Sequence, residues 1–364
     1  MLKTGIVGLP NVGKSTLFNA LVESAKAEAA NFPFCTIEPN TGVVVVPDER
    51  LEVLARVVSS RTIIPTRIEY VDIAGLVRGA SQGEGLGNQF LSHIRQVDAI
   101  VHMVRCFESN DIVHVEGSVD PERDVATINL ELALADLSQV DKRLQKIAKT
   151  AKTARDQYEL EISVLNKIER LLNDGRPVRS AGLNLEEYLS IVHLELLTLK
   201  PIIYVANVSE TELVSGNLYT EKLAKLAADE NSEMVMVSAQ LEAELSELSK
   251  DEQQAFLEDL GVDGSGLLRM IQATYRLLGL VTFFTAGEKE VRAWTIIRGT
   301  QAPGAAGTIH TDFEKGFIRA ETIAYHDLVT AGSTAAGREK GLLRSEGKEY
   351  IVKDGDVMHF RFNV

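Results

Sequence analysis

Residues Gly8-Leu9-Pro10-Asn11-Val12-Gly13-Lys14-Ser15 fit the pattern G-x-x-x-x-G-K-[ST], and no other stretch of the chain narrows its fold as far. A strand-like run, Gly5-Ile6-Val7, precedes the motif, and a helical run, Ser15-Thr16-Leu17-Phe18-Asn19-Ala20-Leu21, follows it. That context predicts a strand, a glycine-rich turn and a helix whose first backbone N–H groups form an anion nest. Lys14 is placed to reach β- and γ-phosphates, and the Ser15 hydroxyl to ligate Mg2+. Asn11, Val12, Gly13 and Thr16 complete the expected phosphate cradle.

Further chemistry falls at strand ends. Candidate strands Thr4–Val7, Gly42–Val46, Arg67–Asp72, Ala99–Val104, Pro201–Asn207 and Met234–Ser238 predict an α/β sheet domain. Asp72-Ile73-Ala74-Gly75 closes the third of these as D-x-x-G, so Asp72 is expected to hold Mg2+ through water and the Gly75 N–H to sense a γ-phosphate. Thr36, within Asn31-Phe32-Pro33-Phe34-Cys35-Thr36, lies where a first switch loop would supply a second metal hydroxyl; a plain turn threonine is the alternative.

At the strand end where GTP-binding proteins carry N-K-x-D, this chain reads Asn207-Val208-Ser209-Glu210. Val208 replaces the Lys, and Glu210 displaces the guanine-reading carboxylate by one methylene, which leaves buried polar groups unpaired. Asn207 is expected to bond adenine instead, with Val208 on the ring and Ser238 in the last base-side loop. ATP should bind at least as well as GTP. Leu76 follows D-x-x-G where a Gln often orients the attacking water, so hydrolysis should be slow unless another group supplies that function. Among the seven histidines, His114, in a polar loop after Ala99–Val104, is the best candidate; an ordinary solvated loop histidine competes with that reading.

The rest of the chain frames this site. Its 364 residues allow two or three domains, and 45% hydrophobic with 25% charged residues is a globular composition. No apolar run approaches the roughly 18 residues of a membrane span, and the start shows no secretory leader, so a cytoplasmic protein with reduced Cys35 and Cys106 is expected. The net charge of −14 falls wholly on the first 280 residues, since residues 281–364 hold eleven basic and eleven acidic side chains. Net acidity disfavours a sequence-independent DNA binder held by phosphate neutralisation, and the neutral tail softens that argument. Apolar residues spaced by three and four, from Leu130, Leu134, Leu137, Val140, Leu144, Ile147 and Ala151 to Tyr158, Ile162, Leu165, Ile168 and Leu172, predict an exposed, coiled-coil-like helical hairpin. Beyond Gly279 the pattern is β-rich, and Asp354-Gly355 between Tyr350-Ile351-Val352 and Val357–Val364 is a strong hairpin signal.

These motifs in this order resemble the YchF subfamily of Obg-like ATPases, over nearly the whole chain. Beyond the nucleotide motifs, the resemblance rests on Phe284-Thr285-Ala286-Gly287, Arg292-Ala293-Trp294-Thr295 and His310-Thr311-Asp312-Phe313-Glu314-Lys315-Gly316-Phe317, the last similar to a TGS-domain signature. It implies an Obg-type P-loop G domain over 1–120 and 201–280, an inserted helical domain over 121–200, and a β-grasp-like TGS domain over 281–364. It also implies slow, Mg2+-dependent hydrolysis of ATP in preference to GTP, with Leu76 replacing the catalytic Gln and a functional histidine in the loop of His114. Lys14 and Gly75 would assist catalysis. Association with the ribosome is implied, with the large subunit and ribosomal RNA as its contacts and a monomer as the expected state. Two alternatives stand beside it: a GTP-preferring translational GTPase, and a nucleotide-gated binding protein whose hydrolysis is incidental.

Overall fold

A computed structural model describes residues 2–29, 40–73, 86–150, 158–262 and 264–363. Among them the strands are β1 (Lys3–Val7), β2 (Thr41–Val45), β3 (Ile63–Ile64), β4 (Arg67–Asp72), β5 (Ala99–Arg105), β6 (Ile202–Asn207), β7 (Glu233–Val237), β8 (Leu280–Ala286), β9 (Val291–Ile297), β10 (Phe317–Ala324), β11 (Arg344–Glu346) and β12 (Asp356–Phe362). They form two six-stranded sheets, ordered β2-β4-β1-β5-β6-β7 and β11-β10-β12-β8-β9-β3. The chain divides into two compact units, one holding residues 69–274 and the N-terminal strand and helix, the other residues 44–68 and 275–364.

In the first unit β4, β1, β5, β6 and β7 run parallel. Every residue of β5 and of β6 is buried, as expected of strands covered on both faces, and this is why they read as continuous apolar runs. All six strands expected for this domain are present, within one residue at each end. Cys106, just past β5, is a buried free thiol, whereas Cys35 lies outside the described residues.

Helices Pro121–Thr150 and Glu159–Asn173 make the inserted layer. Their seam joins Ala133, Val140 and Ile147 to Val164, Leu165, Ile168 and Leu172. Leu130 and Leu134, expected on that stripe, are exposed, while Val125, Ile128 and Leu132 are buried. The long helix serves two cores: it packs on β5 and the helix Leu218–Asp229 as well as on Glu159–Asn173. Asp136, wholly buried, accepts bonds from the Leu197 and Thr198 N–H groups (2.8 and 2.7 Å) and from Thr198 Oγ1 (2.7 Å). Burial pushes its carboxyl above the usual range, and those three bonds offset part of the shift.

The second unit interrupts the expected 1–120 span. Residues 44–68 belong here: β3 adds parallel to β9, and the helix Arg50–Val57 buries Leu51, Leu54 and Ala55 against Phe284, Val291, Ala293, Ile323 and Val357. Arg50 bonds Asp48 and Asp354 and lies 4.9 Å from the Phe284 ring centroid. Partial burial opposes its charge, yet the two carboxylates raise its pKa. The Asp354-Gly355 signal misleads, because β12 pairs antiparallel with β10 and parallel with β8 and forms no hairpin with 350–352. Asp354 Oδ1 accepts the Thr282 N–H (2.8 Å), and Gly355 (φ +85°) donates its own N–H to the Thr282 carbonyl (2.8 Å), so the turn anchors β8.

Candidate functional site

The glycine-rich turn leaves β1 at its carboxyl end and enters the helix Lys14–Ala29. Gly8 must be glycine: a Cβ there would sit 2.7 Å from the Met103 carbonyl oxygen of β5. Gly13 has φ +92° and a Cβ would strike the Asn207 amide. Asn11, without glycine's freedom, is also left-handed at φ +61°, a conformation Asn tolerates better than most residues. Val12 is buried, while Asn11, Ser15 and Thr16 are exposed at the mouth of the turn.

The strand order gathers the expected site residues. β1 lies between β4 and β5, so the ends of β4, β1, β5 and β6 open side by side, the position where open parallel sheets take ligands. Lys14 Nζ bonds the Asp72 carboxylate at the end of β4. Each is largely buried and neutralises the other. A phosphate group would draw Lys14 away and free Asp72 for a cation. The exposed Ser15 hydroxyl and Asp72 are hard oxygen donors of the kind Mg2+ accepts. Among the described residues no group of three or more His, Cys, Asp or Glu gathers as a metal site; a P-loop cation needs none, because phosphates and water supply most of its ligands. Thr36, Gly75 and Leu76 lie outside the described residues.

The base-side residues also carry a structural role that the sequence did not announce. Asn207 Nδ2 donates to the Val12 carbonyl (2.9 Å), and its Oδ1 accepts from the Ala239 N–H (2.9 Å). Its buried amide makes Asn207 a strut between the phosphate turn and the helix Ala239–Leu245, while Nδ2 keeps a second N–H and Oδ1 a second lone pair for a base. Ser238 caps the same helix, its Oγ accepting from the Leu241 N–H (3.4 Å). Val208 is buried, and Glu210 stands exposed in the turn 210–212.

His114 is not a solvated loop residue. Its ring is buried, Nε2 lies 2.8 Å from Asp124 Oδ2, and Nδ1 accepts the Glu116 N–H at 3.1 Å. Arg105, also buried, holds the start of this loop through the Phe107 and Ile112 carbonyls (3.1 and 2.9 Å). The loop reaches the phosphate turn, where Asn11 Nδ2 donates to the Val113 carbonyl at 3.1 Å. Sequence reasoning missed Asp124, since an acid in the first turn of a long helix reads as a partner of the helix dipole.

Comparison with known proteins settles the family. A model described as 50S ribosome-binding GTPase matches residues 3–167, and the C-terminal model of YchF GTPases, described as a protein of unknown function, matches residues 280–363. The chain is 55% identical over 365 residues to the Ribosome-binding ATPase YchF of Bacillus subtilis, covering all of both chains. The chain belongs to the YchF family. The Escherichia coli O157:H7 YchF, also named Ribosome-binding ATPase, is 54% identical over 362 residues, covering 100% of this chain and 99% of its own. The Schizosaccharomyces pombe YchF, whose structure is titled as that of a GTPase, superposes with a TM-score of 0.90 at 40% identity, over 99% of this chain and 97% of that one. The names of YchF proteins thus divide on the nucleotide, and base choice is the point to test.

Proposed function

We propose that this YchF protein is a slow, Mg2+-dependent ATPase, preferring ATP over GTP and releasing ADP and phosphate, that works as a ribosome-associated switch. The observation that carries the reading is the phosphate turn itself: Gly8 and Gly13 shaped against Met103 and Asn207, with Lys14 paired to Asp72. On binding, Lys14 exchanges its carboxylate for β- and γ-phosphate oxygens, while backbone N–H groups from Asn11 to Thr16 hold the rest of the charge. Ser15, Asp72 and Thr36 would hold Mg2+, which supplies charge neutralisation across the phosphates. Gly75 couples the γ-phosphate to the segment after Asp72, and His114 handles the attacking water. ATP preference rests on Val208 and Glu210 replacing the guanine-reading Lys and Asp, with Asn207 keeping the walls of the pocket in register.

The names of the relatives support ribosome binding, and we assign the large subunit as its site and the cytoplasm as its compartment, with the protein acting as a monomer. An RNA contact fits the second sheet, where exposed Arg319, Arg338 and Arg361 surround the single carboxylate of Glu321. Phosphate release from ATP and from GTP at matched concentrations, with and without ribosomes, tests the proposal. ATP should be turned over faster, and ribosomes should stimulate it. A tenfold preference for GTP, about 1.4 kcal/mol, overturns the base reading.

A further inference from the structure

We propose that Asp124 is a positioning residue that latches His114 out of reaction, and that opening this pair is what raises turnover. The inference rests on the reading of His114 as the group that handles the attacking water. Three observations carry it. The Glu116 N–H points at Nδ1, so Nδ1 is the acceptor and Nε2 bears the proton that Asp124 receives. Both ring nitrogens are therefore spent, and a water-handling group needs one of them within hydrogen-bond reach of that water. The pair is shut away as well, each side chain being 3% exposed.

The second observation is that the latch opens without orphaning a charge. Asp124 Oδ1 also accepts from Arg123 Nη2 (3.0 Å) and Nε (3.3 Å). If His114 leaves, the carboxylate keeps a guanidinium partner and avoids the penalty of an unpaired buried ion.

The third is that the loop is folded with its apolar side out. Val113 is 75% exposed and Val115 47%, on either side of the buried imidazole. Arg105 fixes the loop up to Ile112, while Gly117 (φ +80°) closes a turn onto the His114 carbonyl at 3.0 Å. Residues 113–117 thus form a short turn between two fixed points, Ile112 held by Arg105 and Ser118, whose carbonyl and Oγ accept from Arg123. Reversing it releases His114 and gives both valines a chance of burial, against a partner or against the protein. The bond from Asn11 to the Val113 carbonyl ties that turn to the phosphate site.

The test uses the full chain with Asp124→Ala, Asp124→Asn, His114→Ala and the double variant His114→Ala/Asp124→Ala. Turnover is measured at saturating ATP, with KM and thermal midpoints taken alongside. His114→Ala should lower kcat. Asp124→Ala should raise kcat at least threefold with KM within twofold, Asp124→Asn should fall between it and the unaltered protein, and the double variant should match His114→Ala. If His114→Ala lowers kcat while Asp124→Ala leaves it unchanged or lowers it, the latch is overturned and the reading of His114 stands. Unchanged turnover in His114→Ala removes that reading, and the latch with it. Ring nitrogen spectra of the unaltered protein give a check that needs no variant to fold: a protonated Nε2 is expected, and a protonated Nδ1 overturns the geometry.

Discussion

Single side chains in the first sheet carry consequences that can be measured one at a time. Asn207→Ala should cut the tie from the Val12 carbonyl to the Ala239 N–H and cost about 2 kcal/mol in stability, together with nucleotide affinity. Asn207→Asp should be worse, because a carboxylate oxygen would face the Val12 carbonyl; fluorescent-nucleotide titration and thermal unfolding rank the two. His102 in β5 is buried 5.4 Å from the Tyr204 ring, its Nδ1 finds no hydrogen-bond partner among the described residues, and burial, with Arg179 adding to it, lowers its pKa from 6.5 to about 3. The unfolded chain takes up this proton below pH 6.5 and the folded one does not until about pH 3. Stability is therefore full above pH 6.5 and declines as pH falls, by about 2 kcal/mol at pH 5. His102→Leu should flatten that decline in denaturant titrations at pH 7 and pH 5. The sequence made Lys14, Asp72 and Gly13 legible because phosphate binding demands those types at fixed spacing. It could not reveal that Asn207 braces the turn, since the pairing joins atoms 195 residues apart.

At the scale of elements, the inserted layer depends on polar ties as much as on its apolar seam. Arg143 clasps Glu161 across the two long helices at 2.7 and 2.9 Å, and Asp136 ends three donors of the 197–198 turn. Asp136→Ala should cost about 3 kcal/mol, because it leaves three buried donors unmet; urea midpoints measure it. Glu161→Gln should cost about 1 kcal/mol, since a partly exposed pair contributes less. The strands of the first sheet were legible because strands covered on both faces are apolar throughout. The failed hairpin at Asp354-Gly355 shows the converse: a turn signal specifies a bend and not the strand that follows as a partner, and here Thr282 claims Asp354.

Across the whole molecule, charge separates two kinds of surface. The acidity belongs to residues 1–280, while Arg319 and Arg361 of the second sheet and Arg338 of the helix Thr334–Glu339 gather around Glu321. If the proposed RNA contact uses this surface, replacing Arg319 and Arg361 by Gln should weaken ribosome co-sedimentation and reduce its salt dependence by roughly one unit of slope for each phosphate no longer neutralised; an unchanged slope overturns that contact. Strand β3 and the helix Arg50–Val57 belong to the sheet that residues 280 onward complete. Nothing local in Ile63-Ile64 announces that partnership, which is why domain boundaries read from the sequence run straight through it. Its consequence lies in time. During synthesis at about 5–20 residues per second, Leu51 and Leu54 emerge roughly ten to forty-five seconds before even the first of the strands that cover them. For that interval the nascent chain carries an uncovered apolar helix, so slowing elongation between codons 65 and 280 should raise aggregation or chaperone capture of this protein more than slowing it anywhere downstream.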